Sequence, residues 1–140
     1  AMIQFVTLHL VALTVFMEAG AEPYPGKLAV AYVIANRRKY YSRSLLDVIF
    51  DPYDFSCWNT PSPTRLNLDQ ITDAQFAECL KAAIGACFGM EGDPTAGAIF
   101  YMNVDVVRKA NGGQLPDWWA TDADFNSEIK IGAHTFRRHK

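Results

Sequence analysis

The chain has 140 residues, 50% apolar and 20% charged, with a net charge of -2 at neutral pH. That length supports one packed domain and is too short for two, so residues 2–140 are expected to form a single domain. The weak acidic balance excludes a general nucleic-acid binder, which would carry a basic face. The runs Arg37-Arg38-Lys39 and Arg137-Arg138-His139-Lys140 read as solvated surface patches, with weak attraction to an anionic polymer as the sharper alternative.

Three cysteines, Cys57, Cys79 and Cys87, cannot all pair, which does not suit a disulfide-stapled fold. Cys79 and Cys87 share a helical pattern and stand about 12 Å apart along it, beyond disulfide reach. Both are expected as buried thiols. Cys57 falls in a loop, where a thiol could be reactive. The apolar start lacks a basic segment and a cleavage site, so it reads as part of the folded body and not as a signal peptide. Gln4, Thr7, His9 and Thr14 interrupt it, making it a poor membrane span. Ala1-Met2 reads as an added residue before a native start.

In chain order, residues 5–18 read as a buried helix, with Val6, Leu10, Leu13 and Met17 on one face and Val11, Val15 and Phe16 widening it. Thr7 is a candidate N-cap and Gly20 a stop. Glu18 occupies the last turn of this apolar helix. Burial and the helix dipole both favour its protonated form there. Pro25 suits the first turn of a second helix running to about Arg38, with small residues at Ala29, Ala31 and Ala35 to permit close packing. Ser44 caps a short helix over 45–50, and Asp51-Pro52 stops it. Residues 51–70 are irregular but hold Tyr53, Phe55 and Trp58, which argues for a functional loop. Thr72 to Gln75 has the form of a capping box, opening a helix to Phe88 that Gly89 ends. Phe76, Leu80, Ala83, Ile84 and Cys87 are expected to face inward. Asp93 to Gly97 reads as a turn, residues 98–103 as a strand, residues 104–127 as mostly loop, and residues 129–137 as a short strand or hairpin. The sum is an α-rich α+β architecture with a small late sheet.

Four ordered blocks then carry a resemblance. Phe16-Met-Glu18-Ala-Gly-Ala-Glu22-Pro-Tyr24-Pro-Gly26 through Asn36-Arg37 resembles the opening of the SleB-type cell wall hydrolases. These are spore-cortex-lytic enzymes with phage and bacterial relatives. Leu46 to Phe50 with Asp54-Phe55-Ser56, Asp93 to Asn103, and Trp118 followed by Ile131-Gly132-Ala-His134-Thr-Phe136 resemble later family blocks in the same order. The likeness spans residues 13–136. It departs from the family pattern at Gly20, Ala21, Ala96 and Arg137.

The resemblance implies a lysozyme-like α+β fold: a helix-rich single domain with a small antiparallel sheet. It also implies cleavage of the β-1,4 bond between N-acetylmuramic acid and N-acetylglucosamine in peptidoglycan, by lytic transglycosylation. One carboxyl suffices for that reaction, since the 6-hydroxyl of the muramic residue is the nucleophile. Glu18 is the residue expected to act as acid and then base. Glu22, Tyr24, Phe55, Ser56, Trp58, Tyr101, Asn103 and His134 are the expected substrate contacts. Glu22 is open to a structural reading, as a group at a helix start. Asp51 and Asp54 are weaker second carboxylates. Three scattered histidines give no zinc set, so neither a metal nor a cofactor is expected.

The alternatives are a muramidase using a second carboxylate, a binding module without catalysis, and a zinc amidase. The partner expected is the peptidoglycan glycan strand, with no nucleic acid, no stable membrane insertion and a monomeric state. A phage endolysin made in the host cytoplasm without a signal peptide, acting at the wall, is the expected setting. A domain of a longer bacterial wall-remodelling protein is the runner-up.

Overall fold

The computed structural model describes residues 4–51, 54–58, 65–120 and 125–139. The expectations placed on Ala1, Met2, Pro52 and Tyr53 lie outside them, as does the side chain of Ser56. Three long helices come first: α1 (Phe5–Ala19), α2 (Tyr24–Tyr41) and, after the short α3 (Leu45–Ile49), α4 (Asp73–Cys87). Two 3-10 turns, Ser56–Trp58 and Arg65–Gln70, lie between α3 and α4. The C-terminal part holds β1 (Phe100–Met102), α5 (Val104–Ala110), α6 (Asp117–Ala120), β2 (Phe125–Ile131) and β3 (His134–His139). The strands form one antiparallel sheet in the order β1-β3-β2. The α+β expectation therefore holds: a helix-rich body with a small antiparallel sheet.

α1, α2 and α4 pack on one another in all three pairings. The pattern along α1 put Val6, Leu10 and Leu13 at the centre of its buried face. Instead Val6 is exposed, Leu10 and Leu13 are half-buried, and Leu8, Val11, Ala12, Val15, Met17 and Ala19 carry the burial. The shift arises because α1 meets helices on two sides, so its apolar stripe is wide and centred between them. Thr7 does not cap; Gln4 stands at the N-cap with no side-chain bond. Gly20 keeps a right-handed conformation, and a Cβ there would stand 2.4 Å from the Phe16 carbonyl oxygen. The requirement is therefore for space, not for a left-handed turn.

α2 is longer than its sequence pattern suggested. Pro25 lies in its first turn, and the helix continues to Tyr41, where Ser42 adopts φ 52° and ends it. Ala29 and Ala31 of α2 and Ala82 and Ala83 of α4 are fully buried. Ser44 Oγ accepts from Asp47 N at 3.1 Å, capping α3 as expected. The capping box of α4 is complete, with Gln75 N donating to Thr72 Oγ1 at 3.1 Å and Thr72 N donating to Gln75 Oε1 at 2.9 Å. Cys79, Ala82, Ala83, Gly85 and Ala86 are its buried residues, with Phe76, Leu80 and Cys87 packed at the margin.

All three cysteines are thiols. Burial pushes Cys79 and Cys87 up to about 11. Cys79 is buried and Cys87 half-buried; Cys57 is buried, which removes the expectation of a reactive loop thiol. The Asp93–Gly97 turn is held by the Asp93 carboxylate, which accepts from Thr95 N, Thr95 Oγ1, Gly97 N and Asn36 Nδ2 at 2.7 to 3.0 Å.

Residues 104–127 are not mostly loop. They hold α5, α6 and the start of β2. The expected strand shortens to three residues because Asn103 leaves it to become the N-cap of α5, its Oδ1 accepting from Val106 N at 3.1 Å. Two supposed surface cations are also buried. Arg37 is 6% exposed and Arg137 7%. Arg137 Nε donates to Glu128 Oε2 at 2.8 Å, another guanidinium N–H donates to the Trp119 carbonyl, and its plane covers the Trp119 ring at 4.3 Å. A guanidinium satisfied in this way can be buried.

Candidate active site

The junction of α1 and α2 borders a groove of about 530 Å³. Its lining runs from Phe16 to Glu22, takes Gln70 and Gln75 from the approach to α4 and its first turn, and closes on Asn103, Ala133 and His134 from the sheet side. Glu18 enters it from the last turn of α1, half-buried. Burial raises the Glu18 pKa; the Tyr101 hydrogen bond and the Arg37 charge pull the other way. Its environment therefore favours the protonated carboxyl while stabilising the carboxylate enough for it to form.

Tyr101 reaches Glu18 from β1. Its neighbour in the register is Phe136, and its ring stacks there with centroids 5.7 Å apart, while His134 meets it edge-on at 5.2 Å. Burial holds the Tyr101 hydroxyl well above its ordinary pKa, with the nearby Glu18 charge acting in the same direction. The phenol remains a hydrogen-bond donor to Glu18 at any ordinary pH.

Arg37 lies beneath. Its Nε donates to the Ile99 carbonyl at 2.6 Å, its guanidinium covers the Phe55 ring at 4.9 Å, and Nη1 stands 4.0 Å from Asp54 Oδ2 with no hydrogen-bond partner among the described residues. Val30, Val33 and Ile34 share its face of α2 and are fully buried. That spacing was the signal that Arg37 points inward. The Arg-Arg-Lys run drew attention away from it.

Glu22 is committed elsewhere. Its Oε1 accepts from Ala133 N at 2.8 Å and stands 3.3 Å from His134 Nδ1, close enough for ion pairing but off the line of a hydrogen bond. The Glu22 carbonyl accepts from Lys27 Nζ, itself buried and 3.4 Å from Glu78. One residue thus ties the helix junction to the β2–β3 turn. Burial lowers the His134 pKa; Glu22 opposes that shift, chiefly by its charge. Neutral imidazole is favoured.

Of the expected contacts, Glu18, Glu22, Asn103 and His134 line the groove, and Tyr101 supports its floor. Three do not reach it. Tyr24 turns toward α4, donates its hydroxyl to the Glu91 carboxylate and lies under Lys81 Nζ at 4.8 Å. Phe55 is fully buried beneath Arg37. Trp58 packs on Phe50 and donates Nε1 to Thr14 Oγ1 at 2.8 Å. In each case the aromatic body fills space between helices, and the polar tips of Tyr24 and Trp58 find partners there. Gln70 and Gln75 were missed as groove residues. Gln75 looked spent on capping, but only its Oε1 is used.

A family description, Cell Wall Hydrolase, matches residues 21–137. The chain belongs to the cell wall hydrolase family. It is 34% identical to the spore cortex-lytic enzyme of Bacillus cereus over 92% of its own length and 43% of that protein's. Identity to the corresponding enzyme of Bacillus subtilis is 33%, over 71% and 30%. The chain therefore spans less than half of the curated relatives it matches.

Two solved relatives share the fold of this cell wall hydrolase. One is the catalytic domain of the germination-specific lytic transglycosylase SleB from Bacillus anthracis, with TM-score 0.66, 28% identity and 97% of both chains covered. The other is the catalytic domain of the Bacillus cereus SleB protein, with TM-score 0.64, 30% identity and coverage of 94% and 89%. The family match begins at residue 21, past Glu18.

Proposed function

We propose that this cell wall hydrolase cuts the bond between N-acetylmuramic acid and N-acetylglucosamine in peptidoglycan as a lytic transglycosylase, with Glu18 as its single acid and base. The observation that carries this reading is the division of labour between the two carboxylates. Glu18 faces the groove in a setting that raises its pKa, whereas Glu22 is occupied by the Ala133 N–H.

In the first step, the Glu18 carboxyl gives its proton to the bridging oxygen as that oxygen leaves C1 of the muramic residue. The carboxylate left behind is stabilised by the Tyr101 hydroxyl and the Arg37 charge, and it faces the positive character developing at C1. In the second step, the muramic 6-hydroxyl attacks C1 and passes its proton to Glu18. The products are a 1,6-anhydromuramic end and a free N-acetylglucosamine hydroxyl, with no water consumed. Asn103 and the glutamines Gln70 and Gln75 are suited to contacting acetamido and hydroxyl groups of the strand.

Digestion of purified peptidoglycan in oxygen-18 water, followed by mass spectrometry, tests the reading. Unlabelled anhydromuropeptides are expected. Labelled reducing ends would replace it with a muramidase, released stem peptides with an amidase, and no product with a binding module. The endolysin setting rests on the resemblance to phage relatives. Lysis of the expressing host only when a membrane-perforating protein is co-expressed supports it.

A further inference from the structure

Away from the groove, surface rings form a row, with Tyr40, Tyr41 and Trp118 exposed and Phe100 and His139 half-buried. Tyr41 and Tyr40 close α2, with centroids 4.9 Å apart. Tyr40 meets His139 at 6.1 Å, His139 meets Phe100 at 6.4 Å, and Phe100 meets Trp118 at 5.9 Å. The row therefore passes from the end of α2 across the end of β3 and the start of β1 to α6. None of its members lines the Glu18 groove. Phe100 and Tyr101 are successive strand residues, so the row lies on the face of β1 opposite the one that serves Glu18. Trp118 is 56% exposed, Tyr40 51% and Tyr41 43%.

Five contiguous ring systems from four elements, three exposed and two half-buried, exceed the scattered single apolar residues of an ordinary surface. Their chemistry narrows the occupant. Aromatic faces stack on the C–H face of a pyranose, and Tyr, His and Trp carry polar edges that can bond its hydroxyls. The spacing between consecutive rings is comparable to the rise of one sugar in a β-1,4 chain. Lys39 is exposed next to Tyr40 at one end of the row, and Asp117 next to Trp118 at the other. The Lys39 end complements a polymer bearing carboxylates.

We propose that this row is a second binding surface for the anionic glycan strand of peptidoglycan, holding the polymer while the Glu18 groove acts on another stretch of it. The proposal rests on the reading of that groove as a glycan-cleaving site.

The test separates the two. Co-sedimentation with purified sacculi is measured in a Glu18→Gln background, which leaves the polymer intact. Cleavage of a short soluble glycan fragment is measured with Glu18 in place. The double substitution Tyr40→Ala with Trp118→Ala is expected to weaken sacculus binding about tenfold, the scale of a lost stacking contact. Fragment cleavage and melting temperature are expected to stay unchanged. Trp118→Tyr, which keeps a ring, is expected to retain most of the binding.

Unaltered sacculus binding by the double variant overturns the proposal. So does a loss confined to anionic phospholipid vesicles, or an equal loss of fragment cleavage. Failure of the parent protein to cleave the fragment, with sacculus binding still dependent on Tyr40 and Trp118, sinks the catalytic reading and leaves the surface standing.

Discussion

The hydroxyl of Tyr101 donates to the Glu18 carboxyl, joining a three-residue strand to the last turn of the first helix. Because that bond favours the carboxylate, removing it should raise the Glu18 pKa. Tyr101→Phe is expected to move the alkaline limb of the kcat/KM profile to higher pH. It should also slow turnover about tenfold or more, the scale of a lost hydrogen bond to a charged group. A pH series on soluble glycan fragments checks both; an unmoved limb would break the link between Tyr101 and the proton on Glu18.

Glu18→Gln should reduce glycan cleavage by about 10²- to 10⁴-fold, the range expected on losing a general acid. It should also stabilise the fold near neutral pH. The folded-state pKa of Glu18 is raised, so between its ordinary value and the raised one the folded chain holds more protons than the unfolded chain. Stability is then lost as pH rises through that window. Thermal melts across pH should show the Glu18→Gln variant losing less stability than the parent over the same range.

Arg37→Met removes a buried cation whose Nε serves the Ile99 carbonyl. The expected cost is about 2 kcal/mol or more of stability, from the carbonyl left unpaired. With the cation gone the Glu18 pKa should rise further. Arg37→Lys should retain part of the charge effect while losing the bond to Ile99. Urea unfolding combined with the pH profile separates these two contributions.

Glu22→Gln keeps an oxygen acceptor for Ala133 N but no ionisable group. If Glu22 is structural, the variant should retain activity within about threefold, whereas a catalytic second carboxylate would cost about 10²-fold. Gly132→Ala probes the same clasp from the other side. Gly132 has φ 59°, and a Cβ there would stand 3.0 Å from Glu22 Oε2. A loss of about 1–2 kcal/mol is expected on denaturant unfolding.

The helical body was legible in the sequence where local chemistry decides it. Thr72 and Gln75 cap each other, Ser44 caps α3, and the alanines of α2 mark a close packing face. Glu18 stood out because a carboxyl in an apolar helix needs a reason. What escaped was set by contacts distant in the chain. Asn103 looks like a strand residue until its side chain is needed to start α5. Arg37 looks exposed until Phe55 and Ile99 are brought against it. Tyr24, Phe55 and Trp58 carry the composition of a sugar cleft, but only the packed helices decide that they turn inward. The partner of the Glu22 carboxylate, Ala133 N, is 111 residues away, so its role could not be read from the helix start alone.

Gln75 has a double allegiance: its carbonyl oxygen closes the capping box of α4, and its side chain borders the groove. Any attempt to retune which strand chemistry the groove accepts by varying this position will also change how α4 begins, at a cost of about 1 kcal/mol for a lost cap. Selection for a new specificity would therefore register at Gln75 as lower yield or thermal tolerance before it registered as altered recognition. Gln70, which borders the same groove from a 3-10 turn, is the freer place to begin.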